Sequence, residues 1–416
     1  MNAITPTAAT HDARLDRLAK VAVDVGLALA HGQELVVTAP LDAVPLVRRI
    51  TEHAYRAGCP QVTTLLTDDV TTLARYQFAP DDAFDRAPAW LYEGMAAAYR
   101  SGAARLAISG DDPALLSAQD PARVSRANRA RSVAYRPALE LITNFAINWS
   151  IVSYASPAWA RRMFPDLDKA QAVARLWDAI FAASRVDQPD PVAAWAAHNA
   201  ALHARTETLN AQRFHALRFR GPGTDLRVGL SDGHLWLGGS EPAKNGITCN
   251  PNIPTEEVFT TPHMMRVDGH VRSTKPLSYG GTLIQDIAVR FEGGQITDAQ
   301  ARTGQEVLQK VLGTDDGARR LGEVALVPGS SPISASGLLF FNTLFDENAA
   351  SHIALGQAYR TCLQGGTTAP DDELARRGAN TSLIHIDWMI GSGEVDVDGL
   401  DAAGAAVPVM RAGEWV

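Results

Sequence analysis

The chain has 416 residues, with 38 Lys or Arg against 46 Asp or Glu, so its formal net charge at pH 7 is −8. Hydrophobic residues make up 46% and charged residues 20%, a globular composition that excludes a chain disordered throughout. The acidic balance argues against nucleic acid as the main partner. No apolar run is long enough to span a bilayer, the first residues lack a signal-peptide pattern, and the three cysteines are widely separated. We therefore expect a cytoplasmic protein that binds neither membranes nor nucleic acid.

The first half alternates helix and strand patterns. Short β-branched runs at 34–40 and 61–67 flank an amphipathic segment at 43–58 that ends at a glycine. Strand, helix and strand with short connections form the βαβ unit of a parallel sheet. Residues 159–210 are mostly helical. We predict an α/β N-terminal domain with a parallel sheet over residues 1–208.

The pattern changes after Asn210. Residues 214–230 alternate apolar and polar side chains around a Gly-Pro-Gly turn, which predicts a β-hairpin. Further alternating segments follow at short intervals, and helices are predicted near 297–312 and 349–363. The second half is therefore predicted to be a mainly antiparallel α+β domain over residues 209–416.

One β-branched segment, L-I-H-I-D-W-M-I, places His385 and Asp387 two residues apart. Side chains alternate faces along a strand, so these two point the same way and Ile386 points the other way. A His and a carboxylate side by side on a strand can bind one or two divalent cations. The same pair also fits a His–Asp hydrogen bond on a solvated sheet face.

A second segment, T-L-F-D-E-N-A-A-S-H-I-A-L-G-Q-A-Y, carries Glu347, His352 and Tyr359. Asn348 can cap a helix from about residue 349, and His352 and Tyr359 would then share one face because seven residues are two turns. Glu347 before the cap is favoured by the helix dipole, so it fits a structural role as well as a site.

Carboxylates in apolar or turn-rich surroundings complete the candidate set. Glu323 lies in a run that reads as a fully buried strand, where a carboxylate is costly unless it is paired or binds a cation. Glu256 and Glu257 are adjacent between two prolines, so at most one of them would enter a shared site. Four such segments within one domain indicate a metal site assembled from distant parts of the chain.

These segments carry a resemblance to the M29 family of metallo-aminopeptidases. The match covers nearly the whole chain in the same order, and a different residue type stands only at minor positions, such as Y-G-G at 279–281 and Y-A-S-P-A-W at 154–159. The blocks that resemble the family are N-I-P-T-E-E-V-F-T-T-P, V-R-S-T-K-P-L-S-Y, L-G-E-V-A-L-V, T-L-F-D-E-N-A-A-S-H-I-A-L-G-Q-A-Y and H-I-D-W-M-I-G.

The resemblance implies two divalent metal ions per chain, Zn, Co or Mn, in the C-terminal domain. It implies as metal ligands Glu257, Glu323, His352, His385 and Asp387. Glu347 and Tyr359 would complete the site, with Glu347 or Glu323 as general base and Tyr359 as an oxyanion donor or a ligand. The family position favours Glu257 over Glu256.

The resemblance further implies an aminopeptidase that removes the N-terminal residue from short peptides through a metal-bridging hydroxide, and a homodimer. A free N-terminus would be required because one metal would bind the α-amine. The alternative is a ring-cleaving dioxygenase with one Fe(II) held by His352, His385 and Asp387, the 2-His-1-carboxylate triad. That alternative leaves Glu257 and Glu323 without a role.

Overall fold

The computed structural model describes residues 10–279 and 282–416. The first nine residues, on which part of the signal-peptide assessment rests, and Gly280 and Gly281 of the Y-G-G segment lie outside the described residues. The chain divides into two compact units. The N-terminal unit extends through Ala197 and includes Ser240–Pro254, and the C-terminal unit comprises His198–Gly239 and Thr255–Val416.

Helices occur in both units. In chain order, the α-helices of the described residues are α1 His11–Val21, α2 Val44–Arg56, α3 Asp69–Phe78, α4 Ala89–Arg100, α5 Pro121–Thr143, α6 Pro157–Met163, α7 Lys169–Ala183, α8 Pro191–Gln212, α9 Gln305–Leu312, α10 Pro332–Ser336, α11 Thr343–Asp346 and α12 Asp371–Arg376. Shorter 3₁₀ turns include Glu347–Ala349 and Arg360–Cys362, and a π-helical turn follows α1 at Ala22–Leu27. Among the described residues, no helix is both long enough and apolar enough to cross a bilayer.

Most of the strands belong to the C-terminal unit. In chain order, the strands are β1 Leu35–Pro40, β2 Val62–Thr67, β3 Ala104–Ser109, β4 Trp149–Ser153, β5 Ala216–Gly221, β6 Thr224–Leu230, β7 Glu241–Pro242, β8 Thr248–Cys249, β9 Val258–Thr260, β10 Pro262–Arg272, β11 Leu277–Tyr279, β12 Thr282–Ile284, β13 Ala288–Glu292, β14 Gln295–Gln300, β15 Leu321–Leu326, β16 His352–Gly356, β17 His385–Met389, β18 Asp396–Leu400, β19 Ala406–Arg411 and β20 Glu414–Trp415.

The N-terminal unit is built on a parallel sheet in the order β2-β1-β3-β4. Its inner strands are rich in buried aliphatic residues, as expected when helices cover both faces of a parallel sheet. Pro121 begins helix α5 at the first turn, where its missing N–H costs nothing. The predicted α/β unit with a parallel sheet is confirmed.

The C-terminal unit contains two larger antiparallel sheets. One has the order β14-β13-β10-β6-β5-β18-β19-β20 and the other has the order β17-β16-β15-β9. The predicted hairpin is present as β5 and β6, which pair in antiparallel register around Gly221 and Thr224. The inner faces pack a cluster of buried aliphatic and aromatic residues that includes Phe219, Ile353 and Trp388. The predicted mainly antiparallel second half is confirmed.

The predicted boundary between residues 208 and 209 lies inside helix α8 and stays a prediction.

Two helix predictions in this unit are wrong, one of them only in its first residues. The predicted helix over 349–363 is instead a turn, strand β16 and a second turn, so His352 and Tyr359 do not share a helix face. All five residues of β16 are buried, and β16 pairs with a strand on each side, so tertiary pairing overrides the helical pattern. The predicted helix over 297–312 begins only at Gln305, because the residues up to Gln300 form β14 and a short connection follows.

Candidate metal centre

Neighbouring strands of the four-stranded sheet bring the candidate ligands together. Glu323 lies on β15, His352 begins β16, and His385 and Asp387 lie on β17. Glu257 directly precedes β9, which pairs with β15. The order of the strands in space therefore follows their order along the chain, and each strand or its first flanking residue supplies one or two ligands.

The register places a small residue between two of the acids. Glu323 lies opposite Ala354, and Ala354 lies opposite Asp387, so these three residues form one row across the sheet. Directly opposed residues of antiparallel strands share a face. Ala354 therefore extends no more than a methyl group between the two carboxylates.

The polar atoms form two groups that share one residue. His352 Nε2 lies 3.2 Å from Glu257 Oε2, and His385 Nε2 lies 3.0 Å from Glu323 Oε2 and 3.4 Å from Asp387 Oδ1. Donor atoms of Glu257, Glu323 and His352 all lie within 4.8 Å of one another, and so do donor atoms of Glu323, His385 and Asp387. Glu323 belongs to both groups.

The backbone fixes which nitrogen each imidazole presents. His385 Nδ1 lies 2.7 Å from the carbonyl oxygen of Gln357, and His352 Nδ1 lies 3.2 Å from the carbonyl oxygen of Ala350. A carbonyl accepts a hydrogen bond, so each Nδ1 carries a proton and donates it. Each Nε2 therefore faces the site and presents its lone pair there once the imidazole is neutral, which is the orientation of metal-binding histidines.

The residues present fit a divalent cation. Glu257, Glu323 and His352 are almost completely buried. Glu257 Oε2 and Asp387 Oδ1 are buried atoms that accept no hydrogen bond from the described residues. Burying several carboxylates together is costly unless a cation offsets their charge. Imidazole and carboxylate donors are ordinary protein ligands of divalent metal ions.

The titration behaviour of the site reflects this crowding of charge. Burial raises the pKa of Glu323 to about 7 despite its hydrogen bond with His385. Burial alone would lower the pKa of His352, but the contact with Glu257 and the charges of nearby carboxylates raise it to about 10. The pKa of Asp387 is lowered, because the adjacent His385 outweighs the effect of burial. In the absence of a cation, protons would compensate the charge of the carboxylates.

Glu347 and Tyr359 adjoin this cluster. Burial and the negative charge of Glu257 raise the pKa of Glu347 well above its usual value. The Tyr359 ring lies 4.7 Å from the His385 ring, and its backbone carbonyl accepts a hydrogen bond from Thr261. The pKa of the Tyr359 phenol is raised by desolvation and by the nearby carboxylates, although 42% of the residue is exposed. Glu347 begins a 3₁₀ turn and therefore does not precede a helix as predicted.

Sequence reasoning missed two asparagines that hold the site in place. It assigned Asn348 only to a helix cap, whereas its buried side chain contacts both acidic segments. Asn380 donates hydrogen bonds to the carbonyl oxygens of Gly317 and Gly356, next to the Gln357 carbonyl that orients His385. A buried amide far away in sequence leaves no periodic pattern, so the sequence offered no signal for either role.

The comparisons with known proteins agree with this geometry. A family described as thermophilic metalloprotease (M29) matches residues 11–415. The chain belongs to the M29 family of metalloproteases. It is therefore an enzyme that hydrolyses peptide bonds, and the family resemblance noted in its sequence is confirmed.

The relatives cover nearly the whole chain. An aminopeptidase T of Thermus thermophilus is 56% identical over 402 residues, which are 97% of this chain and 98% of the relative. Aminopeptidase 2 of Geobacillus stearothermophilus is 45% identical over 404 residues, covering 96% of this chain and 97% of the relative. Relatives from two bacteria thus match nearly the whole length of this chain.

Two solved structures resemble the fold. Wild-type AmpT from Thermus thermophilus superposes with a TM-score of 0.93 at 55% identity, covering 98% of this chain and all of that one. A 2,5-dihydroxypyridine dioxygenase from Pseudomonas putida superposes with a TM-score of 0.53 at 14% identity, covering 98% of both chains. The second likeness shows a shared fold and carries no argument about activity.

Proposed function

We propose that the protein is a dinuclear-metal aminopeptidase that removes the N-terminal residue from short peptides. The observation that carries this proposal is the position of Glu323, whose carboxylate belongs to both groups of donor atoms. A carboxylate shared by two donor groups can hold a pair of adjacent cations together. The names of the relatives, aminopeptidase T and aminopeptidase 2, support the choice of an exopeptidase.

In this proposal the ligands divide between two cations. Glu257 and His352 would hold one, His385 and Asp387 would hold the other, and Glu323 would bridge them. Such a pair would activate water near neutral pH and polarise the scissile carbonyl. Binding of the free α-amine at the same centre would explain a requirement for an unblocked N-terminus. The metals proposed are Zn, Co or Mn.

Proton transfer is assigned to Glu347. Glu323 is held by His385 at 3.0 Å, whereas Glu347 has no such contact with either candidate histidine among the described residues. Its raised pKa means that it holds a proton more firmly than an ordinary carboxyl group, which suits a residue that accepts a proton and returns it to the leaving amine. Tyr359 would donate a hydrogen bond to the developing oxyanion or bind a cation.

The proposal can be tested by metal analysis together with turnover. Elemental analysis of the dialysed protein is expected to give close to two Zn, Co or Mn per chain. Release of p-nitroaniline from leucyl-p-nitroanilide should be abolished by a chelator and restored by the metal. The N-acetylated substrate should not be cleaved, because its amine is blocked. Rapid cleavage of the acetylated substrate would contradict an aminopeptidase.

The same measurement tests the alternative of a mononuclear dioxygenase. One iron per chain and no hydrolysis would favour the triad of His352, His385 and Asp387. The grouping of Glu257 and Glu323 with these residues supports the peptidase instead, because a 2-His-1-carboxylate site uses neither.

We further propose that the protein is a cytoplasmic homodimer. The family resemblance supports the dimer, and the three buried, unbridged cysteines are consistent with a reducing compartment. Light scattering coupled to gel filtration should give twice the mass of one chain. A monomer at micromolar concentration would contradict the dimer and leave the metal centre of the single chain as described.

A further inference from the structure

A cavity of about 220 Å³ lies within the C-terminal unit at the ends of the metal-site strands. Its wall includes the polar residues Lys275, Ser334 and Ser392 and the apolar residues Val327 and Met410. Cavities that enclose a whole ligand usually measure about 300 Å³ or more. This cavity therefore suits one end of a longer ligand.

The cavity is close to the proposed catalytic centre along two strands. Its wall includes Ser351, which directly precedes His352, and Gly391, four residues beyond Asp387. Four residues of extended chain span at most about 13 Å. An extended peptide of about three or four residues covers a similar length. A short peptide with its N-terminus at the metal centre therefore has the length that this separation requires.

Lys275 is held at the cavity wall by its neighbour in the chain. Thr274 donates its backbone N–H to the Met389 carbonyl at 2.9 Å and its hydroxyl to the Gly391 carbonyl at 2.7 Å. Met389 ends β17, the strand that carries His385 and Asp387, and Gly391 follows it two residues later. These hydrogen bonds fix the backbone beside Lys275 relative to the strand whose His385 and Asp387 would bind a cation.

The ammonium group of Lys275 forms no ion pair and donates no hydrogen bond among the described residues. The charge of Lys275 acts on Asp346, but both oxygens of that carboxylate already accept backbone N–H groups, from Phe340 at 2.7 Å and Asn342 at 3.0 Å. A cation at a cavity wall that forms no ion pair of its own, with hydroxyl groups on the same wall, is suited to bind a carboxylate.

We propose that this cavity binds a carboxylate of the substrate and that Lys275 is a specificity-determining residue. This inference rests on the proposed function. The carboxylate can come from the C-terminus of a short peptide or from an acidic side chain near it. Lys275 lies in the block V-R-S-T-K-P-L-S-Y, which carried part of the family resemblance. The proposal gives this block a role in substrate binding, whereas the metal centre uses none of its residues.

The test compares peptides that differ only in their C-terminal group. For the tripeptide Leu-Gly-Gly and its C-terminal amide, the wild-type enzyme should show a kcat/KM about 10 to 100 times higher for the free acid, the range expected for a hydrogen bond between charged groups. Lys275→Met should bring the two values together mainly by raising KM for the acid. Lys275→Arg, which keeps the charge, should retain part of the preference.

Lys310→Met is the matched control, because Lys310 is exposed on helix α9 outside the cavity wall. It should leave the ratio of acid to amide unchanged. The amidated peptide Leu-Gly-Glu distinguishes the source of the carboxylate: restored turnover that depends on Lys275 assigns the cavity to an acidic side chain. If amidated Leu-Gly-Glu is cleaved as poorly as amidated Leu-Gly-Gly, and only the free acid is preferred, the cavity is assigned to the C-terminal carboxylate.

Equal cleavage of acid and amide by the wild-type enzyme would overturn the inference while leaving the aminopeptidase in place. A ratio that Lys275→Met leaves unchanged, with a lowered Tm, would assign Lys275 to the stability of Asp346 and would also overturn it. Should Lys275→Met fail to fold, Lys275→Gln gives the same readout. No hydrolysis of either peptide by the metal-loaded wild type would instead remove the proposed function itself.

Discussion

The side-chain oxygen of Asn348 accepts a hydrogen bond from the backbone N–H of Glu256 at 2.7 Å. The amide nitrogen of Asn348 donates to the Leu344 carbonyl at 3.0 Å and lies 3.5 Å from Glu347 Oε1. Asn348 is completely buried. One side chain therefore links the segment that carries Glu257 to the turn that carries Glu347.

Asn348→Ala is expected to lower both kcat and metal affinity by about 10- to 100-fold, as loss of a residue that orients a metal ligand commonly does. KM should change much less. Steady-state kinetics and metal titration of the purified variant provide the measurement. Asn342→Ala is the control, because Asn342 caps the neighbouring helix α11 and contacts neither acid. If both variants lose the same activity, Asn348 serves only local stability.

Glu323→Gln is expected to abolish peptide hydrolysis and to reduce the metal content of the dialysed protein. Glutamine keeps the size of the side chain but removes the charge that both donor groups share. Elemental analysis, turnover and circular dichroism of the variant check the effect. Glu292→Gln, on an exposed strand position paired with Arg290, should retain wild-type values. A Glu323→Gln enzyme with two metals and substantial activity would contradict the bridging role.

Metal binding is expected to strengthen as the pH rises from 6 to 8. The pKa of His352 is raised to about 10 in the metal-free site, so the imidazole is protonated over this range and must lose its proton to bind a cation. The apparent association constant should rise about tenfold per pH unit for each proton released. Calorimetry in two buffers of different ionisation enthalpy measures that release. Binding without proton release would show that His352 is not a ligand.

Gly356→Ala is expected to lower the free energy of unfolding by about 1 to 3 kcal/mol or more. The backbone φ of Gly356 is +102°, and a Cβ there would collide with the carbonyl oxygen of Ile384. The strands β16 and β17 would have to separate beside His385. Urea denaturation of the metal-free protein provides the measurement. Gly337→Ala is the control, because its φ is also positive but a Cβ would meet nothing within 4 Å. Equal losses of unfolding free energy in the two variants would mean that the contact with Ile384 adds no cost to that of the positive φ.

Part of the site could be predicted because strands repeat every two residues. His385 and Asp387 share a face of β17, as their spacing predicts, while Ile386 and Trp388 are buried. The strand around Glu323 is buried at all six positions, as its apolar run predicts. Along β17 the local pattern and the final environment depend on the same alternation of faces. Along the strand around Glu323 they depend on the same uninterrupted apolar run.

Other features depend on contacts that no local pattern records. The segment around His352 has a helical pattern, but pairing with strands from distant parts of the sequence made it a central strand. His352 still reached the predicted site, because the first residue of β16 lies beside Glu257. The roles of Asn348 and Lys275 depend on partners that are only close in three dimensions.

The order of the strands β9, β15, β16 and β17 across the sheet has a consequence for biogenesis. During synthesis from the N-terminus, Glu257 and Glu323 emerge long before the two residues on β17. The second donor group cannot form until β17 pairs with β16 at the edge of the sheet. Completion of the second donor group is therefore a late step of folding, and a chain truncated before β17 would retain at most the first donor group.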